Sequence, residues 1–171
     1  SLLRHADRIA VACLAQLVNV IAPIRTEPTG QAWRQTIYHP FALTAQYARG
    51  EVLRVQQRSP RYPTEYGDAD ITDVVVTSDA ENGELTIFAV NRDQEQDILL
   101  DVDLRAFPDM VIVESRCLGG SGLGDTNTAE HPDRVMPRRG NDGSITDCHL
   151  KAPLPPVSWT MLRLARADAE S

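Results

Sequence analysis

Gln16 and Asn19 are the first polar residues in an apolar run that starts at Ile9. A carboxamide both donates and accepts hydrogen bonds, so at the end of a buried strand it can grip a hydroxyl. It can equally be a core amide satisfied by neighbouring backbone. The run then becomes a loop through Pro23, Pro28 and Gly30 that reaches Trp33, Arg34 and Gln35. An indole face stacks on the C–H face of a ring while neighbouring amides take up hydroxyls, which suits a sugar platform. The same Trp33 can instead anchor the loop onto a helix.

Other groups carry less. The glycines of Leu118–Asp125 (LGGSGLGD) lack the G-x-G-x-x-G spacing of a phosphate loop, no helix follows, and Asp125 would repel phosphate. Cys148 and His149 are adjacent, so on a strand they point to opposite faces. His5, His39 and His131 are isolated. Cys13, Cys117 and Cys148 form neither a C-x-x-C pair nor a zinc spacing. No metal and no cofactor is therefore expected, and reduced thiols point to an intracellular, cytoplasmic protein. The Asp and Glu residues lie mostly in turns, and nothing singles out a pair for acid–base work.

Composition narrows the class. The chain has 171 residues, 42% hydrophobic and 24% charged, which is ordinary for a folded chain and enough for one good core or two small ones. Net charge is -7, Lys151 is the only lysine, and no basic stripe appears, which argues against nucleic acid. The longest apolar run is interrupted by Gln16 and Asn19 and falls short of the roughly 18–20 residues of a membrane span. Neither a basic n-region nor a cleavage site begins the sequence. Ser1–Asp7 resembles the last turn of a helix, which suggests a piece of a longer polypeptide.

The elements that must position these groups fall into two architectures. Ile9–Val18 is apolar on both faces, the pattern of a parallel strand covered on both sides. Such a strand needs neighbours for its backbone groups, and no second strand of this type follows. Thr36–Arg49 reads as a helix, with Pro40 in its first turn and Gly50 just beyond its end. Strand, loop and helix make one βα unit, with Gln16, Asn19 and the Trp33 loop at the carboxyl end of the strand, where α/β folds place their sites.

From Glu51 the period changes to two. Strands are expected at Val52–Val55, Ile71–Thr77, Leu85–Asn91, Ile98–Leu104, Met110–Leu118, Ile145–Leu150 and Val157–Leu164, with a turn at Asn82-Gly83. Ser59–Asp70 and Gly119–Pro137 read as loops. The expected fold is mostly β, an antiparallel β-sandwich of jelly-roll type after a βα remnant of a (β/α)₈ barrel. The boundary falls between residues 1–50 and 51–171.

Four stretches carry a resemblance: ACLAQLVNVIAPI (12–24), AWRQTIYHPF (32–41), NTAEHPDRVMPR (127–138) and LPPVSWTMLRL (154–164). In this order they resemble the C-terminal part of family 51 α-L-arabinofuranosidases. The resemblance implies the last βα unit of a catalytic barrel, followed by a sandwich. It implies retaining hydrolysis of terminal α-L-arabinofuranosyl bonds by two glutamates, one protonating the leaving oxygen and one forming the glycosyl-enzyme. Those glutamates sit in motifs resembling N-E and D-E-W-N, and neither motif occurs here, so no catalytic residue is assigned to this chain. Gln16 matches a strand-end glutamine that binds arabinose, and Trp33 a loop aromatic near the substrate channel.

The expected partners are an arabinofuranosyl oligosaccharide and further copies of the enzyme. Alone, the chain should be inactive, and its first 50 residues should be poorly packed without the rest of the barrel. Two rivals remain. A non-catalytic carbohydrate-binding or assembly sandwich should show exposed aromatics on one face. A subunit completing another chain's barrel should associate with it.

Overall fold

The computed structural model describes residues 2–119, 122–140 and 143–167. The chain divides into two compact units, residues 1–48 with 121–137, and residues 49–120 with 138–171.

The first unit has little regular structure. A 3-10 turn spans Leu3–His5. The strands β1 (Ile24–Thr26) and β2 (Ala32–Arg34) form a short antiparallel hairpin, with Arg25 opposite Trp33. The helix α1 runs from Tyr38 to Tyr47. The strand expected over Ile9–Val18 is not formed. Those residues are mostly exposed, Val11 by 79% and Leu17 by 70%, with a single parallel bridge from Val18 to Ile24. The physical reason is the one its pattern implies: a two-sided apolar strand persists only where neighbours pair its N–H and C=O groups. The helix is shorter than Thr36–Arg49 at both ends.

The second unit is a two-layer antiparallel sandwich. Its strands are β3 (Glu51–Leu53), β4 (Arg61–Thr64), β5 (Gly67–Asp70), β6 (Thr72–Asp79), β7 (Glu84–Asn91), β8 (Ile98–Asp103), β9 (Met110–Leu118), β10 (Arg138–Arg139), β11 (Ser144–Thr146), β12 (His149–Leu154) and β13 (Ser158–Arg166). Six make one sheet in the order β10-β9-β13-β7-β6-β3, and three make the other, β11-β12-β8. β4 and β5 form a separate hairpin.

Alternation explains the layering. On β7 and β13 the register sets Leu85 opposite Leu164 and Ile87 opposite Leu162. These four side chains, at most 1% exposed, face Leu150, Ala152 and Leu154 of β12, which are all fully buried. The intervening residues take the opposite face of the large sheet, where Phe88 and Trp159 meet with ring centroids 6.0 Å apart. Burying a Leu or Ile side chain contributes about 1.5–3 kcal/mol, so this double row dominates the unit's stability.

Turn chemistry accounts for the remaining differences from the sequence reading. Ile145–Leu150 is not one strand but a hairpin: Thr146 pairs with His149, and Asp147 and Cys148 both take positive φ, 50° and 59°. Two such residues make the type I′ turn that suits strand twist. Ser59–Asp70 is not a plain loop; it holds the β4–β5 hairpin, turned through Glu65 and Tyr66. Gly50 lies at φ 72°, and a Cβ there would sit 2.0 Å from the Ser78 carbonyl oxygen, so only glycine fits where β3 joins β6.

Candidate functional site

The polar groups of the first unit converge on the Trp33 hairpin. Its entry is tied by Asn19, whose Oδ1 accepts from Thr26 N (2.8 Å) and whose Nδ2 donates to Thr26 Oγ1 (2.9 Å). Its exit is tied by Gln35, whose Nε2 donates to the Ala22 carbonyl and whose backbone N donates to that of Pro23, each at 2.7 Å. The hairpin is thus fixed at both ends by carboxamides, the side chains that can act as donor and acceptor at once.

Asn127 fixes its middle. Its Nδ2 donates to the carbonyls of Arg34 (2.9 Å) and Val135 (2.8 Å), and its Oδ1 accepts from Val135 N (2.7 Å). Its own carbonyl accepts from Trp33 Nε1 at 3.1 Å. Asn127 is 6% exposed, so these bonds form away from water, where leaving them unmade is costly. The indole edge is therefore occupied. The Arg25 guanidinium lies 6.0 Å from the Trp33 ring centroid, and that of Arg34 lies 4.9 Å from the Tyr38 ring, both within cation–π range. Trp33 itself is half-buried.

His39, at the start of α1, is buried. Burial lowers its pKa first, the Arg34 guanidinium lowers it further, and Asp133 opposes them. It is accordingly a neutral ring at physiological pH. The segment carrying Asp133 is braced by an ion pair between Arg134 and Asp125, whose carboxylate also accepts from Gly122 N.

Gln16 is exposed, and among the described residues no hydrogen bond or ring contact joins it to Trp33. The structure therefore places one expected site residue in an ordered polar cluster and the other on an open segment. Asn127 was missed by the sequence reading. An Asn in a polar loop has no local signature, and its membership in the stretch NTAEHPDRVMPR was the one available signal.

A glycosidic acid is a carboxyl group held protonated near neutral pH. Each described carboxylate with a resolved shift is lowered. Hydrogen bonds from Asn82 lower Asp79, backbone donors lower Asp93 and Glu130, and Arg105 lowers Asp103 strongly. Burial pushes Glu114 up, but Arg116 and Arg163 outweigh it. No group of three or more His, Cys, Asp or Glu among the described residues could hold a metal, and no described helix is long and apolar enough to cross a membrane.

The class is set by the fold: a two-layer antiparallel β-sandwich joined in sequence to a small polar unit. The particular family follows from comparison. The alpha-L-arabinofuranosidase C-terminal domain family matches residues 1–158, and this chain belongs to it. It is 46% identical over 166 residues to an intracellular exo-alpha-(1->5)-L-arabinofuranosidase of Streptomyces lividans, covering 96% of this chain and 25% of that protein. It is 39% identical over 167 residues to the corresponding enzyme 1 of Bacillus subtilis, covering 97% and 33%. A solved family 51 alpha-L-arabinofuranosidase from Bifidobacterium longum matches with a TM-score of 0.88 at 40% identity, over 95% of this chain and 32% of that one. The chain spans about a quarter to a third of the length of these relatives.

Proposed function

We propose that this chain serves as the C-terminal portion of an intracellular, retaining α-L-arabinofuranosidase that releases terminal arabinofuranosyl residues from oligosaccharides. The carrying observation is the match along nearly the whole chain to enzymes of that name at up to 46% identity. On this reading residues 1–50 belong to the catalytic barrel and residues 51–171 to its companion sandwich, and the acid and nucleophile come from sequence outside these residues. Gln16 binds the sugar once its strand is paired. Trp33 contributes a ring face, because its N–H is already engaged by Asn127. The working enzyme is a homo-oligomer.

The exposure of Ile9–Val18 supports the same reading, since its two apolar faces call for a sheet on either side. The alternative, a carbohydrate-binding sandwich, has less support. The cleft between β8 and residues 53–58 has Phe107 as its only aromatic lining residue, Phe88 is buried, and the exposed Tyr62 and Tyr66 lie on the β4–β5 hairpin rather than on a sheet face of the sandwich. A chimera in which these 171 residues replace the matching quarter of the Streptomyces lividans relative tests the proposal. It should release p-nitrophenol from p-nitrophenyl α-L-arabinofuranoside, and the isolated chain should not. Hydrolysis by the isolated chain at a comparable rate, or a folded but inactive chimera, overturns it.

A further inference from the structure

The connection between β9 and β10 does not stay with the sandwich. Residues 121–137 belong to the same compact unit as residues 1–48. This strap first closes on itself. Val135 N donates to Asn127 Oδ1 (2.7 Å) and Asn127 Nδ2 donates to the Val135 carbonyl (2.8 Å). Arg134 pairs with Asp125, and Thr128 N donates to the His131 carbonyl at 3.2 Å. So braced, the strap reaches two consecutive residues of β2. Asn127 Nδ2 also donates to the Arg34 carbonyl, and the Asn127 carbonyl accepts from Trp33 Nε1.

The Trp33 indole is thereby oriented from several directions. The strap holds its N–H edge, and the same asparagine holds the backbone of the next residue. Arg25, its register partner on β1, sets a guanidinium 6.0 Å from the ring centroid. Among the described residues no second cation or ring lies against it. An indole has one polar group, and here that group is spent, so a ligand can meet it only through apolar surface. A ring face reads no pattern of hydroxyls; it takes up the C–H surface of a sugar of any configuration. The arabinose that is released needs donors and acceptors for its hydroxyls, which is the chemistry of Gln16. A bare platform suits the sugar on the other side of the scissile bond.

We propose that Asn127 is a positioning residue for substrate choice: through the strap it holds Trp33 as a platform for a leaving group that is itself a sugar ring. This rests on the proposed function and deepens it. Residues 121–137, which lie between two strands of the sandwich in sequence, acquire a part in specificity. Asn127 acts only through the indole. Because the ring is pinned before substrate arrives, stacking on it requires little ordering of the side chain.

The Streptomyces lividans chimera tests this with two substrates. In α-1,5-arabinobiose the leaving group is a sugar ring; in methyl α-L-arabinofuranoside it is not. Asn127→Ala should lower the kcat/KM ratio of arabinobiose to the methyl arabinofuranoside about threefold to tenfold, mainly through KM, the size of one aromatic contact. Trp33→Phe removes the N–H donor and leaves the Asn127–Val135 bonds whole. It should lower the same ratio, and adding Asn127→Ala to it should lower the ratio little further, because both changes act on one ring. Equal losses on the two substrates give Asn127 a structural role only and overturn the proposal, as does an unchanged ratio or an additive double variant. Where Asn127→Ala does not fold, Trp33→Phe decides: a lowered ratio supports the proposal and an unchanged one overturns it. Calorimetry with arabinobiose separates this inference from the reading beneath it. An active chimera whose ratio ignores both substitutions overturns this inference alone. An inactive chimera that binds arabinobiose, and binds it more weakly after either substitution, overturns the proposed function alone. An inactive chimera that does not bind it, or binds it equally well in the variants, overturns both.

Discussion

The two units of this chain hold themselves together by different means. Residues 49–120 with 138–171 bury two rows of Leu, Ile, Val and Met between sheets. Residues 1–48 with 121–137 bury few apolar side chains, Ala22 and Val135 among them, and rely on carboxamides: Asn19, Gln35 and Asn127. A hydrophobic sandwich needs only approximate complementarity and gains stability from area. A unit held by buried amide bonds depends on each bond, because one lost partner strands a donor or acceptor away from water. The difference teaches that the first unit's order is specific but weakly reinforced.

The comparison breaks most visibly at Leu162, which is fully buried between the sheets. Leu162→Ala should cost about 2–5 kcal/mol in urea unfolding of the second unit. A cost below about 1 kcal/mol would mean the sheets close over the gap. Asn127→Ala should follow at about 1–3 kcal/mol, confined to the first unit, because it strands the Val135 N–H and two carbonyls. Its signature is faster exchange of the Trp33 indole N–H by NMR while β7 and β13 amides are unmoved.

Titration sharpens the contrast. The folded pKa of His39 is lowered, so between that value and its unfolded value near 6.5 the unfolded state binds the extra proton. The first unit should therefore lose stability as pH falls through that window, and His39→Gln should flatten the loss. In the second unit the group in point is Glu114, held between Arg116 and Arg163. Glu114 is depressed below 4.5, so its contribution is complete above that pH and disappears as pH falls through its folded value. Unfolding followed separately by Trp33 and Trp159, each in a variant lacking the other tryptophan, distinguishes the two. The smallest effect belongs to Val11→Ala: at 79% exposure it should stay within about 0.5 kcal/mol in the isolated chain, yet matter in the chimera if that strand becomes paired.

Most strands of the sandwich were legible because alternation is local. Met110–Leu118 coincides with the strand found, and the Asn82-Gly83 turn joins β6 to β7 as expected. The Asp147-Cys148 turn was not, since neither residue advertises positive φ as Asn-Gly does. Ile9–Val18 was legible as a pattern but not as an outcome, because a strand is a pair property. Trp33 was legible as a candidate by type and company, whereas Asn127 owes its role to partners 93 and 94 residues away in sequence.

Residue order by itself determined which segments alternate, where the period changes near Gly50, and that Gln16 and Trp33 flank one loop. Tertiary structure alone decided which strands are neighbours, that the smaller sheet stops at β8, and that Asn127 clamps the Trp33 hairpin. The physical reason is range: side-chain alternation and turn preference act over a few residues, whereas pairing, burial and the satisfaction of buried amides are settled only when distant segments meet.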